Sequence, residues 1–158
     1  MAMRGPKTES TRPTPWRYLW AAPATAVGLT LAALAWAFGA TARGVDGVLE
    51  VAGGALARWV CSAPAPFGFV AITLGHVVLG QSHAVLARLR PHEHAHVRQY
   101  ERWGPLFFLL YLGASGAELL RGNRPYWHNR FEREARAVHA EALAQTASGA
   151  ADGSQRRT

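Results

Sequence analysis

Between Arg17 and Arg43 the chain carries no charged residue, and this stretch, Tyr18 to Ala42, restricts how the remainder can be arranged. It is rich in Ala, Leu and Trp and exceeds the ~20 apolar residues that a helix needs to cross a bilayer. Four basic residues (Arg4, Lys7, Arg12, Arg17) precede it and Arg43 follows directly. For a spanning helix, that asymmetry places the N-terminus in the cytoplasm and the rest of the chain outside. A cleaved signal peptide competes with this, since Ala40-Thr41-Ala42 has the small-x-small form, although the stretch is longer than the usual ~7–15-residue apolar core. A buried core helix is a third alternative. The organisation expected is a disordered basic arm (1–15), a transmembrane anchor (16–42), a folded domain (43–142) and a disordered tail (143–158).

The formal net charge of +7 is largely terminal, with four basic residues before the apolar stretch and Arg156 and Arg157 at the end. No aromatic platform or reading helix accompanies these charges, which speaks against nucleic acid and for a lipid bilayer as partner. Cys61 is the single cysteine, so an intramolecular disulfide and a cysteine metal cage are both excluded. It reads as a small buried hydrophobe.

After the apolar stretch the pattern turns to strands. Val45 to Val51 is short, partly alternating and closed by Gly53-Gly54, and Phe67 to Leu79 alternates around an interruption at Gly75-His76, as a bulge or hairpin bend would. A small antiparallel sheet is expected. Leu106 to Leu120 is too short to span comfortably and reads as a packed core helix, or as an interfacial helix touching lipid. A loop at Gly122 to Pro125 leads to another helix from near Asn129. The fold class expected is α+β, with the sheet packed on one polar helix and two further helices.

That polar helix carries His92-Glu93-His94-Ala95-His96, with Pro91 at its start and Gly104-Pro105 at its end. Residues i and i+4 lie one above the other on a helix, so His92 and His96 can offer two imidazole nitrogens to one metal ion. A catalytic zinc takes three protein ligands and leaves a position for water, and Glu93 is placed to take that water's proton. His94 points to another side and is expected to be structural. Arg98, Glu101 and Arg102 make the helix too polar to cross a bilayer, which disfavours an intramembrane protease. A solvated helix with idle histidines is the bland alternative.

The segments Ala71 to Leu79, His92 to Pro105 and Asn129-Arg130-Phe131-Glu132-Arg133-Glu134-Ala135 resemble a family of small bacterial membrane-associated proteins, similar in plan to minimal gluzincin metallopeptidases. The likeness covers most of residues 17–140. It implies Zn2+ held by His92, His96 and Glu132, and a peptide or protein substrate bound as an added strand along Thr73, Leu74, Gly75 and His76. Tyr126 or His128 would stabilise the oxyanion. Arg136 stands where gluzincins have an Asp that supports a ligand histidine, a departure that touches the tuning of the site. Helix geometry also separates Glu132 from Glu134: two residues apart, they point about 200° from each other and cannot both face one ion. The function implied is a membrane-anchored, extracytoplasmic zinc metallopeptidase. The alternative is a non-catalytic membrane protein in which the same cluster staples two helices.

Overall fold

The computed structural model describes residues 15–55 and 70–155. The expectations for the N-terminal arm before Pro15, for Cys61 and for the start of the second strand segment lie outside the described residues.

The apolar stretch forms helix α1 (Pro15–Ala37). It ends earlier than the composition suggested, because Gly39 (φ 85°) turns the chain into strand β1 (Thr41–Val45). Strand β2 (Val48–Ala52) pairs with β1 across Asp46-Gly47. Both turn residues have positive φ (49° and 80°), the conformation of a type I′ hairpin, so the segment read as one strand is two. Strands β3 (Ala71–Leu74) and β4 (Val77–Gly80) form a second hairpin whose turn is Gly75-His76, with Gly75 at φ 60°. The interruption is therefore a hairpin bend and not a bulge.

The sheet order is β1-β2-β4-β3, and the inner pair, β2 and β4, is parallel. The sheet is thus mixed, which corrects the antiparallel expectation. Each tight turn makes its own hairpin antiparallel; Ala52 at the end of β2 and Ala71 at the start of β3 both lie level with Gly80, so β3 runs back along the outer edge and β4, reversing it, enters beside β2 in the same direction.

Helix α2 (His83–Trp103) covers one face of this sheet and α1 covers the other. Side chains alternate accordingly: Val51 and Val77 pack with Ala32 and Ala35 of α1, while Val48 and Val78 pack with Leu86 and Val97 of α2. Close approach of α1 depends on Gly28, where a Cβ would stand 2.8 Å from the Leu74 carbonyl oxygen. Helix α2 starts two turns before Pro91, capped by Ser82, whose Oγ accepts from the Val85 N–H at 3.2 Å. Pro91 lies inside it and removes one backbone hydrogen bond, a cost offset by the cap and by burial of Leu86. Gly104 (φ 56°) then ends the helix, its N–H bonded to the Tyr100 carbonyl at 2.7 Å. A bend of 114° leads into α3 (Leu106–Leu120), followed by the short α4 (Pro125–His128) and by α5 (Arg130–Gln155). Helix α5 packs on α2 through Phe131 and the fully buried Ala135, then continues through residues expected to be disordered, nearly all of them exposed from Glu141 to Gly149.

An ion pair between the partly exposed Arg90 and the buried Glu50 sits on the α2 side of the sheet. Arg90 donates from Nε and Nη2 to the two carboxylate oxygens of Glu50, at 2.7 and 3.0 Å. This bidentate bond holds the Glu50 carboxyl below its usual range, against the opposing effect of burial. Arg90→Ala is expected to cost about 2–4 kcal/mol, because it leaves a carboxylate buried without its partner. The sign follows from the direction of the shift. A depressed folded-state pKa stabilises above the unfolded value of about 4.3 and is lost as pH falls through the folded value. Urea melts of both proteins at pH 7 and pH 3 check this, and the gap between them should shrink at the lower pH.

Candidate metal centre

The site lies beside β3, the edge strand of the sheet among the described residues. Helix α2 presents His92, Glu93 and His96, one turn of the same face, and the first turn of α5 presents Glu132. The start of α5 is fixed by Asn129, which is fully buried. Its Oδ1 accepts from the Phe131 N–H at 2.9 Å, and its Nδ2 donates to the Tyr111 carbonyl and to Ser115 Oγ, tying the cap to α3.

The Nε2 atoms of His92 and His96 are 3.2 Å apart, and they lie 3.5 and 3.4 Å from the two carboxylate oxygens of Glu132. A tetrahedral ion with bonds of about 2.0–2.1 Å, the length found for zinc, sets its ligand atoms roughly 3.3 Å apart. The spacing fits. Two imidazole lone pairs and a carboxylate aimed at one point also need a cation or protons among them, and Glu132 Oε2 is buried with no hydrogen-bond partner. These three residues could therefore hold a metal ion.

The surrounding bonds orient the cluster. His96 Nδ1 lies 2.8 Å from Gln99 Oε1, which accepts its proton and leaves Nε2 free as a ligand. Gln99 is held in turn by donating to the Phe131 carbonyl and to Glu134 Oε2, both at 3.1 Å. Tyr111 donates to Glu132 Oε1 at 2.8 Å. Burial works to raise the Glu132 pKa, but the imidazoles of His92 and His96, 3.5 and 3.4 Å away, and the hydrogen bond from Tyr111 outweigh it and hold the carboxyl well below the usual range. Burial and the neighbouring Glu132 charge push Tyr111 upward, so its phenol stays protonated.

Glu93 is buried and accepts from Thr73 Oγ1 on β3 at 2.7 Å through Oε2. It borders a cavity of about 990 Å³ together with His92, His96 and Glu132. Tyr126 also lines this cavity, and burial followed by the Glu132 charge raises its pKa. His128 does not: its ring lies exposed near the Arg124 carbonyl. Of the strand candidates, Thr73 and Leu74 line the cavity and Gly75 and His76 do not. His76 is buried instead against α1, stacked on Tyr18 at 4.2 Å and bonded to Glu101 at 3.2 Å. His94, set aside as a ligand, is outside the cluster.

Arg136, one turn beyond Glu132 on α5, places its guanidinium 3.9 Å from the Glu132 carboxylate. It donates to the carbonyls of Tyr126 and Trp127, at 3.4 and 2.6 Å, and so holds α4 against the cavity mouth. Sequence reasoning missed Gln99, Tyr111 and Asn129. For Gln99 the signal was its i+3 spacing from His96, and for Asn129 its place as a capping residue at the helix start, though its bonds to α3 had none; Tyr111 acts across elements and had no local signal. His139, two turns beyond Glu132, lines the cavity with Nδ1 buried and unpartnered. Compared with known proteins, the chain matches no family model, no curated protein and no solved structure.

Proposed function

We propose that this protein is a membrane-associated zinc metallopeptidase. The observation that carries the proposal is the convergence of His92, His96 and Glu132 at tetrahedral spacing in a cavity that also holds the carboxylate of Glu93 and borders β3, the edge strand among the described residues. Zinc in such a donor set acts as a Lewis acid on a carbonyl and makes water acidic enough to be deprotonated near neutral pH. Glu93 is the general base, taking the proton at Oε1, the oxygen that Thr73 leaves unbonded. Thr73 fixes the orientation of that carboxylate. Tyr126, kept protonated by its raised pKa, is the donor available to the oxyanion. The outer edge of β3 offers backbone N–H and C=O groups to an extended peptide, and Ile72 and Leu74 beside it suit apolar side chains.

One observation favours a purely structural role: the cluster joins α2 to α5 and would staple them whether or not Glu93 acts. The two readings separate experimentally. The purified full chain is expected to carry about one zinc and to cleave an unstructured protein substrate, with chelation abolishing cleavage and added zinc restoring it. A chain that binds zinc and melts on chelation, but cleaves no unstructured substrate, would establish the staple and overturn the peptidase.

A further inference from the structure

We propose that α1 lies along the surface of a lipid bilayer, with its outward face in the headgroup boundary, and does not cross the bilayer. The helix is long and apolar enough to span, but one side of it is held by the folded domain at points along its whole length. In its first half Arg17 pairs with Glu101 at 3.5 Å, Trp20 packs against Gly104, and Ala21 is buried with Tyr100. At its middle Thr25 Oγ1 accepts from the His76 backbone N–H at 3.1 Å. In its second half Gly28, Ala32 and Ala35 lie on β2 and β4.

A spanning α1 would therefore carry α2 and the sheet into the hydrocarbon. Among the described residues β1 and β3 are the edge strands of the sheet, β1 bears the exposed Arg43, and α2 bears the exposed Arg88 and Arg98. Open sheet edges and unpaired arginines are not accommodated at that depth. Lying in the plane, α1 keeps every one of its contacts with the domain.

The distribution of side-chain size on α1 points to lipid as the occupant of its other face. A core helix turns its large residues inward; here the buried positions are Ala21, Gly28, Ala32 and Ala35. The large residues point out: Trp16 is 66% exposed, Leu19 66%, Val27 54% and Trp36 72%. The hydroxyl of the exposed Thr30 is tied to the Ala26 carbonyl at 2.9 Å, so it adds no polar group to that face. A contiguous apolar face of this kind is rare on a protein surrounded by water. The net charge of +7 complements anionic headgroups, and Trp residues at both ends of the helix suit the interface. This proposal stands independently of the peptidase activity.

The test places single cysteines at either end of α1 (Pro15→Cys or the exposed Phe38→Cys, each in a Cys61→Ser background) in the full chain, in sealed membranes from expressing cells. A membrane-impermeant maleimide is expected to label both positions from the same side. Labelling from opposite sides would establish a span and overturn the proposal. A chain found in the supernatant, whether as monomer or as a dimer hiding α1, would overturn it equally. As a second measurement, Val27→Glu combined with Leu34→Glu alters only exposed positions and should weaken partitioning onto vesicles with about one-third anionic lipid at least tenfold. Unchanged partitioning with retained fold would remove α1 from the contact.

Discussion

Replacing Glu93 with Gln is expected to lower peptide hydrolysis by about 100- to 10,000-fold while zinc content stays that of the wild type. Gln keeps the shape of Glu and can still accept the Thr73 hydroxyl, so the buried contact at 2.7 Å survives. What it loses is the basic oxygen. The ligand atoms of His92, His96 and Glu132 are untouched, and a parallel metal analysis should therefore show no change. Turnover within threefold of wild type at full zinc content would remove Glu93 as the base. Lower turnover accompanied by zinc loss would mean that Glu93 shapes the cluster rather than the chemistry.

The second large effect separates two carboxylates on one helix. Glu132→Ala is expected to weaken zinc binding by more than about 100-fold, beyond the 10–100-fold typical of residues that only support ligands. Glu134→Ala should change affinity at most severalfold. Glu132 lies within 3.5 Å of both histidine nitrogens, whereas Glu134 accepts only from Gln99, which keeps its bonds to His96 and to the Phe131 carbonyl without it. Titration of each purified variant with a competing zinc chelator gives the comparison. An order reversed between the two variants would require α5 to be rotated by about half a turn on α2.

The His92/His96 pair was legible because its parts are short-range, one helical turn apart. Glu132 came from the family resemblance, since the helical period separates it from Glu134 without choosing between them. The Asp46-Gly47 turn was equally legible, being among the strongest local hairpin signals, but Val45 to Val51 was read through it as one strand. The parallel pairing of β2 with β4 depends on a connection whose path no local pattern encodes. Pro91 was misread as a start because a proline in the first turn and one tolerated inside a helix look alike until the Ser82 cap is noticed. The apolar run of α1 predicts length and hydrophobicity, yet not that Ala and Gly take the buried side and Trp and Leu the exposed one. Only a partner surface can decide that.

The two-residue turn at Gly75-His76 works as a ruler for the chemistry. It sets Leu74 opposite Val77 and Thr73 opposite Val78, leaving no slack in the hairpin. Successive strand residues face opposite sides, so one residue added to or removed from this turn would bring Ile72 or Leu74 under Glu93 in place of the hydroxyl. The carboxylate would then face a hydrocarbon side chain and lose the hydrogen bond that fixes its rotamer. The turn between β3 and β4 thus sets the orientation of the group beside the metal ligands, and natural variation in its length should be tolerated far less than in the connection from Gly53 to Val70.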